Sequence, residues 1–420
     1  MHPIKTLCNV GLLIAISATG SQLPAQTEAG HAWATPPGWT RTRGGDGGRI
    51  LRVTTLNASG PGSFAEALAT QGPRTVEFHV AGTINLSGRG LKISEPFLTI
   101  AGETAPNEGV SIENGSIYIV THDVIVRHLR VRATDGGTGA PVAPGRDALS
   151  TGAGAYDVIV DHCSFAWGPD ENLTASGPRF EGTSPDDWRR NTSHRITFSH
   201  NIIAEGTNLK NSKGTLVHDN TTEIAIFGNL YVSNNDRHPL FKGGVRAAFV
   251  NNYIHNPGHR IMQFGFVPSQ WKGRELQRAM LTMVGNVARK GPSSEGDMAM
   301  FEVWPSYGPC DVYLRDNRFF DQAGDHLSEA PAYRDRSSKL VPYHPTDGMR
   351  DVDAPPVWPP GLKARPASEI SEWILDSAGA RPWGRDATDR RFIEEARHGG
   401  GKVLRLESAS GANPPAHRQK

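Results

Sequence analysis

Three segments of this chain gather side chains that do chemistry together. The first, GRDALSTGAGAYDVIVDHCSFAWGPDENLT at 145–174, holds five carboxylates: Asp147, Asp157, Asp161, Asp170 and Glu171. Asp147 precedes one β-rich run, and Asp170 and Glu171 follow the next, in the turn after Trp167. Stacked strands lie about 5 Å apart. If the two runs are consecutive rungs, Asp147 and Asp170 converge although 23 residues separate them. Clustered hard oxygens suit calcium, which takes carboxylates in loose geometry together with water. A solvated acidic turn has the same composition. Asp161 and His162 fall inside a run and are expected to hydrogen-bond within the array.

The second segment, NLKNSKGTLVHDN at 208–220, places Lys210 and Lys213 just before a strand. Taken alone, two loop lysines are an ordinary solvated surface. The third, NNDRHPLFKGGVR at 234–246, sets Arg237, Lys242 and Arg246 around His238 and Pro239. Proline removes a ladder donor, so this stretch should leave the regular strand. A cationic bulge beside an acidic, metal-ready loop suits a substrate that is itself a polyanion. Calcium would bridge protein and substrate carboxylates while Arg and Lys grip the remainder.

The elements that must position these groups follow from a repeat. The runs VIVRHLRV, VIVDHCSF, ITFSHNII, IAIFGNLY, AAFVNNYI, LTMVGNVA and VYLRDNRF each reach a polar pair and turn apolar again. One slot recurs as Asn201, Asn229, Asn252, Asn286 and Asn317, with Leu129 and Cys163 in its first two occurrences. Units of this length imply a stacked-coil array in which each coil buries its apolar face against its neighbours. The 47 Gly and 30 Pro among 420 residues fit many loops between short strands. Lys+Arg 44 against Asp+Glu 43 lacks the basic excess of a nucleic-acid binder. Cys163 shares the asparagine slot and should be a free, inward-stacked thiol.

The ends differ from the middle. Lys5, the apolar run Leu7 to Ile16, and small residues up to Pro24-Ala25 read as an export signal over 1–25, too short for a comfortable membrane span. The remainder, 26–420, is expected to be one domain, with coils over about 46–325. Ser63-Phe-Ala-Glu66 has the pattern of a capping box and opens a short amphipathic helix suited to covering the open edge of the array. Past about 325 the strand pattern fades. DAPPVWPPG leads to two helical stretches, 367–378 and 386–397, which should pack across the coils.

In this order the segments resemble the pectate lyase family of polysaccharide lyases, which are all-β, right-handed parallel β-helices. VIVDHCSF is similar to the family's strand ending in Asp161-His162. RHPLFK is similar to its Arg-x-Pro-x-x-Arg segment, with Arg237 and Pro239 kept and Lys242 at the second Arg. KGTLV is similar to its lysine segment at Lys213. GPGSFAEAL, LTIAGETAP and AGARPWGRDATDRRFI also resemble bacterial members, so the likeness spans about 44–398. It implies calcium-dependent β-elimination of α-1,4-linked polygalacturonate by a secreted, monomeric enzyme that needs neither nucleic acid nor membrane. It makes Arg237 the proton-abstracting residue. Lys213 and Lys242 become holders of substrate carboxylates, with Lys210 and Arg246 beside them. Asp147 and Asp170 become calcium ligands. Where the family often has another aspartate, four residues past Asp170, this chain has Thr174, and Glu171 is the candidate replacement. Lys242 keeps the charge of the family's Arg but not its bidentate fork. The alternatives are a pectin lyase acting on methyl esters without calcium, a glycoside hydrolase on the same architecture, and a non-catalytic glycan-binding β-helix. Hydrolysis needs two carboxylates flanking the bond, and neither Asp170-Glu171 nor Asp186-Asp187 is well placed for that.

Overall fold

The computed structural model describes residues 1, 33–134, 147–207, 212–304, 308–335, 337, 339–343 and 348–404. Pro36 onward forms one compact unit, separate from Met1–Thr35. The expected export signal, apart from Met1, and Lys210 lie outside the described residues.

The described residues wind through three long sheets, one of eleven strands and two of ten. One coil runs from Tyr156–Asp161 in the first sheet to Ser164–Ala166 in the second and Glu171–Ala175 in the third. The next repeats the circuit with His194–Ser199, Ile202–Ala204 and Lys213–Val217. Successive coils pair in parallel register. Among the described strands only the last two hairpin pairs, near the C-terminal end, are antiparallel. This is a parallel β-helix. Its interior is built from columns such as Val126, Val160, Phe198, Ile226, Phe249 and Met283, which are in register and fully buried or nearly so.

The recurring polar pair turns out to be the corner between the first and second sheets. His128, His162, His200, Asn251 and Asp316 adopt φ between +48° and +53°, and Gly228 and Gly285 do the same at +70° and +66°. The left-handed residue swings the chain, and the next residue points inward. His162 is therefore a bend residue and not mid-strand, as the sequence pattern suggested. Asp161, the last strand residue, does hydrogen-bond within the array, to Ser199 Oγ at 2.6 Å and to the Nδ1 atoms of His162 and His200 at 2.8 and 3.0 Å.

The inward slot carries a continuous amide ladder. Asn201 donates through its backbone N and its Nδ2 to Asn229 Oδ1, Asn229 to Asn252, Asn252 to Asn286, and Asn286 to Asn317, all at 2.9–3.1 Å. Each Nδ2 also reaches a backbone carbonyl one coil back. A buried amide is tolerated because both its ends are satisfied. Cys163 begins the ladder, its N–H donating to Asn201 Oδ1 at 2.8 Å, and both Cys163 and Cys310 are free and buried.

The open N-terminal edge is covered by a helix, Phe64–Ala69, which buries Phe64, Ala67 and Leu68. Ser63 Oγ accepts from Glu66 N, but the Glu66 carboxylate reaches Gly62 N and not Ser63 N, so only half of the expected box forms. Arg74, wholly buried, donates to the helix-end carbonyls of Ala67 and Leu68, where a helix runs out of backbone donors of its own. At the other end of the chain, helices Ile370–Ser377 and Ala387–His398 lie on the outer face of the second sheet. Ile370, Ile374, Leu375, Phe392 and Ile393 bury that face against Ile202, Leu230, Val232 and Tyr253. Asp389 fixes the contact, accepting from Arg130, Arg132 and Ser164 at 3.4, 2.5 and 2.7 Å with no solvent exposure. The Pro-rich stretch covers the first sheet, with Trp358 and Leu362 against Phe227 and Val250.

Candidate active site

Parallel register decides which chemistry-bearing residues meet. In the third sheet Glu171 pairs with Lys213, and Lys213 bridges to Asp236 on the next coil. One coil earlier, Asp147 Oδ1 accepts from Glu171 N at 3.1 Å. Asp147, Glu171, Lys213 and Asp236 thus stand at one level, at the entrances to consecutive rungs. Asp170 flanks the row and forms an ion pair with Lys213, whose Nζ is also 3.9 Å from Glu171. At Arg237 the backbone leaves the ladder in the left-handed region, φ +64°, before the cis His238–Pro239 peptide, and strand pairing resumes at Leu240. This departure turns the Arg237 guanidinium back onto Glu171, with Asp236 3.8 Å from Nε.

The electrostatics of the row are set by burial. Desolvation, then the neighbouring Asp170 charge, pushes the Asp147 carboxyl up to about 7, while the Thr174 hydroxyl works against that shift. Burial likewise pushes Asp236 up to about 6. Arg237 is lowered from the ordinary arginine value by burial, with Asp170 and Asp147 opposing. Carboxylate oxygens of Asp147, Asp170 and Glu171 lie within 4.8 Å of one another. That donor set, hard, anionic and mutually repelling, fits calcium. A cleft of about 370 Å³ extends from Asp147 past Ser150 and Tyr118 to Lys92 along the outside of the same sheet.

Asp147, Asp170, Glu171, Lys213 and Arg237 therefore come together. Lys242 lies further along. It is buried, with Nζ 3.3 Å from Gln270 Oε1 and 5.6 Å from the Trp304 ring centre. Burial lowers its pKa against the opposing charge of Asp219, and the charges of Arg179 and Arg237 add to the lowering. Arg246 does not join them. It opens a strand of the first sheet, beside Arg189, because the chain turns a corner at Gly243-Gly244. Sequence reasoning passed over Asp236, although it adjoins Arg237. It also passed over the cluster of Arg179, His218 and Gln270, which belongs to loops that carry no repeat phase.

No protein-family profile matches the chain. Among curated proteins, it is 35% identical over 216 residues to a probable pectate lyase C of Emericella nidulans, covering 51% of this chain and 45% of that protein. A probable pectate lyase C of Neosartorya fischeri is 28% identical over 361 residues, 86% of this chain and 75% of the relative. The aligned part spans about half the length of the first of these relatives. Among solved structures, a point mutant of a Bacillus subtilis pectate lyase superposes with a TM-score of 0.53 at 13% identity, over 83% of this chain and 97% of that one. The major allergen of cedar pollen, jun a 1, gives 0.52 at 14%, over 80% and 90%. By sequence the chain is a homologue of proteins named probable pectate lyase C, and by fold it is a parallel β-helix like solved pectate lyases.

Proposed function

We propose that this protein is a calcium-dependent pectate lyase, secreted, acting on polygalacturonate by β-elimination. The observation that carries this reading is the single row in which Asp147, Asp170 and Glu171 face Lys213 and Arg237. Elimination from a uronate requires loss of the C5 proton beside a carboxylate whose charge opposes carbanion formation. Calcium held by Asp147, Asp170 and Glu171 would supply charge neutralisation at that carboxylate. Lys213 and Lys242 bind the substrate carboxylates and orient the chain. Arg237 takes the C5 proton. The electron pair then forms the C4–C5 double bond, the C4–O bond breaks, and the departing oxygen takes up a proton. Arginine is a base only when its guanidinium is partly deprotonated, and burial works in that direction at Arg237 while the charges of Asp170 and Asp147 work against it. Glu171 must leave Arg237 before the proton can move, so the ion pair of this state describes the resting site.

The test is to incubate the purified protein with polygalacturonate, with calcium and with a chelator, and follow the ultraviolet absorbance of the unsaturated product. A rise that requires calcium is expected. A rise that survives the chelator would remove calcium from the account, and no rise at neutral or alkaline pH would reject the lyase assignment.

A further inference from the structure

Lys242 and Arg179 pose a charge problem that the row around Arg237 does not solve. Lys242 is 5% exposed, and the one hydrogen bond its Nζ makes among the described residues is to Gln270 Oε1, at 3.3 Å. An ammonium with three donors is thus buried against a single uncharged oxygen. Arg179 Nη2 donates to the same oxygen at 3.1 Å and to His218 Nε2 at 2.7 Å. The nearby anion, Asp219, is already committed to Arg179 Nε, Trp271 Nε1 and Gly243 N, at 2.9, 3.0 and 3.1 Å. His218 adds no charge, since an Nε2 that accepts from a guanidinium belongs to a neutral ring. Two cations therefore converge on a neutral amide where an anion would bind far better.

The surroundings fit a sugar acid. Lys242 Nζ lies over the Trp304 ring, 5.6 Å from its centre, so the cation is bordered by an aromatic surface of the kind that sugars contact. Arg179 is partly exposed, and its loop is held in place by Phe180, whose ring packs against Trp188 and Trp271 at 5.0 and 5.2 Å. Gln270 lies on the short helix Pro268–Trp271, so its amide can swing aside without moving a strand.

We infer that Arg179 and Lys242 form a two-cation clamp for a second uronate carboxylate, with the Gln270 amide as the placeholder it displaces. This rests on the reading of the groove as a galacturonan site and adds Arg179, from a loop outside the coils, as a substrate-binding residue. The clamp makes the enzyme discriminate against methyl-esterified sugar at that position, because an ester carries no charge for it to hold.

The experiment compares the full-length parent with Arg179→Ala, Arg179→Lys and Gln270→Glu, on polygalacturonate and on highly methyl-esterified pectin. On polygalacturonate, Arg179→Ala should raise KM about tenfold or more, as expected for loss of a charge-assisted contact, with kcat within about twofold. Arg179→Lys should recover part of the loss. Gln270→Glu should also raise KM, because its carboxylate occupies the clamp from within. On esterified pectin the parent and Arg179→Ala should differ little. An unchanged KM in Arg179→Ala, or an equal loss on both substrates, would overturn the clamp while leaving the lyase assignment standing. A parent that neither cleaves nor binds polygalacturonate would overturn both.

Discussion

At the scale of single residues, the site is a set of charges that the fold forces into contact before substrate arrives. Asp170 and Glu171 neutralise Lys213 and Arg237, and Asp147 is left with a raised pKa beside Asp170. Replacing Arg237 by Lys keeps the charge but loses the guanidinium, so kcat should fall by about 100-fold or more while KM changes little. Steady-state kinetics on polygalacturonate checks this, and a retained kcat would remove Arg237 from the proton transfer. Asp147→Asn should raise the calcium concentration for half-maximal turnover about tenfold, with saturating calcium restoring most of the rate. An unaltered calcium titration would exclude Asp147 as a ligand. The approach of Asp147 and Asp170 was legible because rung spacing converts sequence distance into contact, whereas Lys213 looked like a solvated loop lysine until the likeness of KGTLV was considered. The place of Arg246 was not legible, since a corner two residues earlier sends it to another sheet.

At the scale of elements, the coils are held in phase by the asparagine ladder and by the strapping helices. Asn252 both donates to Asn286 and accepts from the backbone N and Nδ2 of Asn229, without solvent contact. Asn252→Leu keeps the branched shape but strands buried donors on Asn229, and should cost about 2–4 kcal/mol. Asp389→Ala removes the buried anion between Arg130 and Arg132, leaving them the partly exposed Asp386 at 3.3 and 3.6 Å, and should cost about 3 kcal/mol, loosening the C-terminal helices on the second sheet. Denaturant unfolding measures both, and a change below about 0.5 kcal/mol in either would contradict the role assigned. The repeat was visible in sequence because one amide per coil must occupy the same inward slot. The reason for the slot was not, because a left-handed bend at His162 or Asn251 looks like strand in a run of β-formers. The C-terminal helices were readable from their apolar faces, but their partner surface was not, because Asp389 lies 225 residues from Ser164.

At the scale of the whole molecule, stability has a pH dependence whose sign can be worked out. Burial depresses His128 to about 3 and His218, His238 and His255 to about 4. Below about pH 6.5 the unfolded chain binds protons that these folded histidines refuse, so stability present above pH 6.5 is lost as pH falls toward 4. The raised carboxyls Asp147, Asp236, Glu103 and Glu395 oppose this as they protonate, but burial lowers His194 and His259 as well, so six histidines stand against four carboxyls. The melting temperature in chelator should therefore drop by several degrees between about pH 7 and about pH 4.5, and a level or rising value would contradict the assignment. The whole β-helix also presents one continuous outer face of its third sheet, from Lys92 through Asp147 and Lys213 toward Lys242, which suits a long acidic polymer lying across the coils. The proposed elimination at that face is measured most directly by the mass spectrum of oligosaccharides released from polygalacturonate by the purified protein. Elimination gives fragments whose new non-reducing ends are lighter by one water than hydrolysis would leave. Fragments whose new non-reducing ends are saturated would show hydrolysis in place of elimination and contradict the proposed function.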